Sequence, residues 1–95
     1  MSDMINAAVS VLSEKLDGGF DGSAKFAIED EGTIVVDANG VREGDEDTDV
    51  TLTADADTFQ SIIEGDLDPT SAFMQGKLKV DGDMGAAMKL GSALA

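Results

Sequence analysis

The side chains of this chain that could perform chemistry are almost all carboxylates. Its 95 residues include 20 Asp and Glu but neither His nor Cys. Disulfides, Cys nucleophiles, His-dependent triads and common zinc sites are therefore excluded. Ser71 is the best-placed remaining nucleophile, but a role in helix packing explains it better, and no carboxylate lies on an apolar face that would raise its pKa for acid catalysis. We expect no catalytic residues and a protein that is not an enzyme.

One group of acids has the spacing that opens a calcium-binding loop. Asp45, Asp47 and Asp49 alternate, as the first ligands of such a loop do. The motif then requires Gly where Val50 stands and a bidentate Glu where Ala56 stands. A solvated acidic loop before a strand is the better interpretation. Because no glycine-rich phosphate-binding motif occurs either, we expect no metal and no cofactor.

The charge balance excludes partners that carry phosphate. Six Lys and Arg leave a formal net charge of −14, which repels nucleic acid and anionic membrane surfaces. The start, "MSDMINAAVSVL", lacks the basic residues of a signal peptide, and no apolar run approaches the ~20 residues that span a bilayer. We expect a cytoplasmic monomer, residues 1–95 forming one domain, with no stable membrane insertion and no nucleic-acid partner.

The apolar periodicity predicts elements in the order α, β, β, β, β, α, α, β, α. The first helix starts at a Ser2 cap, ends at Gly18-Gly19 and has one apolar face: Ile5, Ala8, Val9, Leu12 and Leu16. In the strands, alternate residues face inward: Ala24, Phe26, Ile28, Ile34, Val36, Ala38, Val50, Leu52, Ala54, Leu78 and Val80. Asn39-Gly40 is a strong hairpin signal, and the first four strands most simply form an antiparallel meander.

The remaining helices have clear start and stop signals. Asp55 or Asp57, Asp68 before Pro69, and Asp83 are predicted N-caps, while Gly65 and Gly76 end the two middle helices. Phe59, Ile62 and Ile63 form one buried stripe, and Met84, Ala87, Met88 and Gly91 share a face of the last helix. The fold class is α+β: a five-stranded, mainly antiparallel sheet with about four helices over one face.

A group of deformable apolar side chains then needs an explanation. Met74, Met84 and Met88 have the flexibility that suits variable apolar shapes, and Phe26, Phe59 and Phe73 lie in adjoining elements. These residues could fill a core or line a cavity. The sequence pattern alone leaves both interpretations open.

The stretch "DPTSAFMQGKLKVDGDMGAAMKL", residues 68–90, resembles the signature of the sterol carrier protein-2 family, and "DVTLTADADTFQSIIEGDLDP" resembles the family's preceding strand and helix turn. The resemblance extends from about Asp49 to Leu90. It implies an apolar tunnel between sheet and helices that takes fatty acyl chains, sterols or similar lipids. The expected function is therefore non-catalytic lipid binding and transfer. The alternative is a small interaction module that keeps the fold with a filled core.

The resemblance, with the inward strand positions, gives a set of expected tunnel residues. Gln75 is included because it could orient a lipid head, although a capping or surface role is equally consistent. The set is Phe26, Ile28, Val36, Leu52, Phe59, Ile62, Ile63, Phe73, Met74, Gln75, Leu78, Val80, Met84, Met88 and Leu90.

Overall fold

A computed structural model describes residues 3–17 and 19–94 and shows the predicted element order. The helices are α1 (Asp3–Leu16), α2 (Ala56–Ile63), α3 (Pro69–Met74) and α4 (Met84–Leu94). The strands are β1 (Ser23–Ile28), β2 (Gly32–Asp37), β3 (Gly40–Glu43), β4 (Val50–Ala54) and β5 (Lys79–Gly82). The predicted Ser2 cap and Gly18 stop lie outside the described residues.

Aspartates begin the three later helices, as predicted. The Asp55 carboxylate accepts a hydrogen bond from the Thr58 N–H at 2.7 Å, so Asp55 and not Asp57 is the N-cap of α2. Asp68 accepts from the Ser71 N–H at 3.2 Å at the start of α3. These carboxylates satisfy N–H groups that have no partner within the helix. The turns that follow α2 and α3 contain glycines with φ of +84° and +79°, which most other residues adopt only with strain.

The sheet order is β3-β2-β1-β4-β5, which corrects the predicted meander. β4 does not pair with β3; it lies beside β1 and runs parallel to it, with Phe26 opposite Leu52. The other pairings are antiparallel. The sheet is therefore mixed but mainly antiparallel. The meander was wrong because an alternating pattern identifies the face of a strand but not its neighbour.

The connection from β3 to β4, residues 44–49, has to cross two intervening strands to reach its place in the sheet. It passes over the face opposite the helices, where Lys25 contacts Asp45 at 2.9 Å and Arg42 contacts Glu46 at 3.0 Å. Val35, which points to this face between Lys25 and Arg42, is only 1% exposed. We call residues 44–49 the crossover loop. The acidic loop predicted from the sequence thus covers part of the open face.

The core lies between the other face of the sheet and all four helices. β1, β2 and β4 contribute alternate residues to it, and the Phe26 and Phe59 rings meet at 5.2 Å in a tilted arrangement. α1 contributes Ile5 and Leu12, both fully buried. One prediction for this face was wrong: Ala38 is exposed, because β2 ends at Asp37 and the chain is already turning into β3.

None of the four helices in the described part of the chain meets the length and hydrophobicity that a membrane-spanning segment requires.

Candidate apolar groove

An apolar groove of about 250 Å³ lies between α3, α4 and the β4–β5 edge of the sheet. We call it the apolar groove. Thr70 supplies the one hydroxyl among its lining side chains, and no lining side chain is charged. The lining residues are Leu52, Pro69, Thr70, Phe73, Met74, Leu78, Val80, Met84, Ala87, Met88 and Gly91.

The floor of the groove comes from the sheet. Leu52 in β4 stands directly opposite Val80 in β5, so both side chains point to the helix-covered face. Leu78 precedes β5 and is buried beside them. Its position is held by the turn after α3, where the Lys77 and Leu78 N–H groups both donate to the Ala72 carbonyl, at 2.9 and 3.2 Å. The α3 turn therefore delivers the chain into β5 with Leu78 facing inward.

One wall of the groove is a face of α4. Met84, Ala87, Met88 and Gly91 follow the i, i+3, i+4, i+7 spacing and fall on one side of the helix. The start of this helix is fixed by the Asp83 carboxylate, which accepts from the Gly85 N–H at 2.8 Å. Because two of these residues are methionines and the other two have little or no side chain, the surface of this wall is uneven.

The groove is open to solvent along its outer side. Phe73, Met74, Met84 and Met88 are 42%, 80%, 46% and 69% exposed, and they are the large exposed hydrophobic residues of the described chain. All of them line the groove. Scattered single apolar residues are normal on a protein surface, but a contiguous group at one concavity marks a binding site or an interaction surface.

The structure divides the expected tunnel residues between two places. Those at the groove are Leu52, Phe73, Met74, Leu78, Val80, Met84 and Met88. Those in the packed core are Phe26, Ile28, Val36, Phe59, Ile62, Ile63 and Leu90. Gln75 is exposed at the C-terminal end of α3, where its N–H donates to the Ser71 carbonyl, and it does not line the groove. In the described residues the space is a groove open on one side, not a closed tunnel.

Four lining residues were not among the expected ones: Pro69, Thr70, Ala87 and Gly91. For Ala87 and Gly91 the signal was present, because helical spacing places them on the Met84 and Met88 face. Pro69 and Thr70 gave no such signal. They reach the groove only because the first turn of α3 packs beside the end of α4.

Ionisable groups do not take part in the groove. Thr58 is the single buried polar side chain in the described residues, and it belongs to α2. Among the described residues no cluster of acidic side chains is arranged to hold a metal ion. The shifted pKa values lie elsewhere: the Thr58 N–H lowers the pKa of Asp55, and the Arg42 guanidinium, followed by the Asn39 N–H, lowers the pKa of Asp37. The groove can bind an apolar group, but it offers no acid or base.

A mixed sheet with helices on one face and an uncharged groove at its edge defines a class of domain suited to apolar ligands. The model of the SCP-2 sterol transfer family matches residues 8–95, and the chain belongs to that family. Over the described residues the fold is that of its solved members. The sterol carrier protein domain 2 of Helicoverpa armigera superimposes with a TM-score of 0.74 at 29% identity, covering 96% of this chain and 85% of that one.

A second structure shows the fold at lower identity. The Aedes aegypti sterol carrier protein-2, solved in complex with the C16 fatty acid palmitate, gives a TM-score of 0.79 at 23% identity, covering 100% of this chain and 97% of that one.

Curated relatives are much longer proteins. Human sterol carrier protein 2 is 45% identical over 65 residues, which are 63% of this chain and 12% of that protein. The hydroxysteroid dehydrogenase-like protein 2 of Bos taurus is 33% identical over 88 residues, 93% of this chain and 20% of the relative. The relatives named as dehydrogenase-like thus contain this domain as one part of a longer chain.

Proposed function

We propose that this protein binds and releases a lipid through the apolar groove and performs no chemistry on it. The observation that carries the proposal is the groove itself, an uncharged concavity lined by three exposed methionines. Membership of the SCP-2 sterol transfer family supports it. The palmitate complex of the Aedes aegypti relative supports a hydrocarbon chain as the bound part.

The size of the groove limits how much of a ligand it can bury. A cavity of about 150 Å³ holds a six-carbon ring, so the 250 Å³ of this groove corresponds to about ten carbon atoms. Each methylene moved out of water contributes about 0.8 kcal/mol, which gives about 8 kcal/mol before the cost of association. We therefore expect micromolar or weaker dissociation constants.

The polar end of the ligand is expected to stay in water. The lining offers the Thr70 hydroxyl and no cation that could pair with a carboxylate or phosphate. Three basic residues adjoin groove-lining residues in the chain. Lys89 contacts Asp21 at 3.3 Å, Lys79 lies between the groove-lining Leu78 and Val80, and Lys77 is close enough to Asp55 to help lower the pKa of that carboxyl. Recognition would therefore depend on the hydrocarbon tail.

The side chains that line the groove are also the reason why we propose no catalysis. Acid–base catalysis needs an ionisable group within hydrogen-bond reach of the ligand, usually with a pKa shifted toward neutrality. The groove-lining side chains include no such group. In relatives that contain this domain within a longer chain, any chemistry would belong to the other domains.

The direct test is to extract the purified protein and identify co-purified lipids by mass spectrometry, and to titrate the delipidated protein against a fluorescent fatty acid. We expect at least one co-purified lipid with an alkyl chain and saturable probe binding that an unlabelled lipid reverses. A protein that yields no lipid and shows no saturable binding would instead be the interaction module, with the exposed apolar residues serving a protein partner.

A further inference from the structure

The exposed methionines of this protein are concentrated at the apolar groove. Met74, Met84 and Met88 line the groove and are 80%, 46% and 69% exposed. Met4, in α1, is half-buried and packs against the core. Among the methionines that the structure describes, the three at the groove are therefore the ones that a dissolved oxidant reaches most readily.

A peroxide converts an accessible methionine from an apolar to a polar side chain. A sulfur lone pair attacks one oxygen of hydrogen peroxide, and an S–O bond forms as the O–O bond breaks. The hydroxide that leaves takes the proton of the new S–OH group and becomes water. The thioether is thereby oxidised to a sulfoxide and the peroxide is reduced to water. The chain has no cysteine thiol that would compete for the peroxide.

A sulfoxide in the groove would oppose the binding of a hydrocarbon chain. The sulfoxide oxygen accepts hydrogen bonds, but the Thr70 hydroxyl is the one side-chain donor among the lining residues. Covering a polar group without a hydrogen-bond partner is unfavourable. A sulfoxide that turns to water instead withdraws its apolar surface from the ligand. In either position the oxidised side chain weakens binding.

The same reaction should leave the fold intact. The buried core of the described residues consists of Ala, Ile, Leu, Phe and Val side chains and contains no methionine. The groove methionines already contact solvent, so their sulfoxides remain hydrated in the free protein. Oxidation should therefore change the affinity for a ligand more than the stability of the domain.

We propose that Met74, Met84 and Met88 form a reversible oxidation site, and that their conversion to sulfoxides by a peroxide lowers the affinity of the groove for lipid. Methionine sulfoxide reductases reverse the reaction, because a pair of thiols is oxidised to a disulfide while the sulfoxide oxygen leaves as water. The inference rests on the lipid-binding function proposed above and adds a means of regulating it.

The experiment treats the delipidated protein with hydrogen peroxide, locates the sulfoxides by peptide mass spectrometry and titrates the product with a fluorescent fatty acid. We expect oxidation at the three groove methionines before Met4, and an affinity about tenfold lower with an unchanged circular dichroism spectrum. Reductases for both sulfoxide epimers, supplied with dithiothreitol, should restore the affinity of the wild type.

Leucine variants show which methionines are responsible. Leucine has nearly the volume of methionine but cannot form a sulfoxide. Whatever its own untreated affinity, the triple variant Met74→Leu/Met84→Leu/Met88→Leu should bind the probe equally before and after peroxide. Met4→Leu is the matched control, and peroxide should weaken its binding as much as that of the wild type.

Three results would contradict the inference and leave the lipid-binding function standing. The first is an unchanged affinity when all three groove methionines are sulfoxides. The second is a triple variant that still loses affinity in peroxide, and the third is an oxidised wild type that loses its circular dichroism signal together with binding. If the untreated wild type shows no saturable binding of the fatty acid, both proposals are wrong.

Discussion

Two halves of this domain use the same sheet in different ways. In the packed half, α1 lies over β2 and β3, and α2 places Phe59 against Phe26 of β1. Residues such as Ile5, Ile34 and Phe59 are almost completely buried there. In the groove half, α3 and α4 lie over β4 and β5, and Met74 and Met88 remain largely exposed. Branched and aromatic side chains fill the first half, whereas methionine, alanine and glycine leave space in the second.

The groove half is open because its elements are short. α3 has 6 residues and β5 has 4, so neither can cover much apolar surface. The inner face of α4 carries Ala87 and Gly91 beside its two methionines, which leaves little side-chain volume to close the gap. The comparison shows that one part of the small core is filled by side chains, whereas the other part leaves a groove. Substitutions in the two halves should therefore have different consequences.

The largest effect should come from the packed half. Phe59→Ala removes a buried ring that contacts Phe26, and such substitutions cost about 3–5 kcal/mol in free energy of unfolding. Met88→Ala, at an exposed position of the groove half, should cost less than about 1 kcal/mol. Urea denaturation followed by circular dichroism measures both. If both substitutions lowered the free energy of unfolding equally, Met88 would contribute as much to stability as Phe59. The two halves would then not differ in their contribution to stability.

Leu78 lies at the boundary and should show both kinds of effect. It is buried, yet it lines the groove. Leu78→Ala should lower the free energy of unfolding by about 2 kcal/mol, the low end for such a change, because the site borders open space. It should also enlarge the groove, so that the best-bound alkyl chain becomes longer. If Leu78→Ala lowered the free energy of unfolding as expected but did not change the length of the best-bound alkyl chain, Leu78 would belong entirely to the packed half.

A charge at the groove should remove binding without removing the fold. Met88→Glu places a carboxylate where the ligand's hydrocarbon would lie, and burying it beneath a bound chain is unfavourable. We expect affinity for a fluorescent fatty acid to fall at least tenfold, about 1.4 kcal/mol, with the circular dichroism spectrum unchanged. Ser92→Glu adds the same charge to an exposed site on the same helix and should leave binding nearly intact. Unaltered uptake by Met88→Glu would exclude α4 from the site.

The smallest effect should be a pH dependence of stability from an ion pair between β2 and β3, on the sheet face opposite the helices. The Arg42 guanidinium bonds the Asp37 carboxylate at 2.9 Å and lowers its pKa below the ordinary 3.8. A lowered pKa in the folded state means that this stabilisation is complete above the unfolded value and is lost as the pH falls through the folded one. Asp37→Asn should therefore show a shallower decline of the urea midpoint in acid.

Alkyl-chain affinity provides the control for that experiment, because the groove lining contains no titrating group. It should be the same for Asp37→Asn and the wild type at neutral pH. Equal acid slopes for the two proteins would show that the Arg42 contact does not contribute to folding.

The sequence by itself determined the local features of this protein. Helix periodicity, the Asp55 and Asp68 caps and the alternating strands depend on neighbours within a few residues, and they predicted the element order. The motif at residues 68–90 was sufficient to indicate the family. The α4 face that lines the groove was also predictable, because residues three and four apart on a helix are neighbours.

Only the tertiary structure decided what covers each apolar face. An inward-facing residue looks the same in sequence whether a helix fills the space above it or not, so Phe59 and Met88 were expected in one site but lie in different surroundings. The pairing of β4 with β1, and the crossover loop that buries Val35, depend on contacts between distant segments. Periodicity specifies a direction for each side chain, and packing between distant elements specifies what the side chain meets.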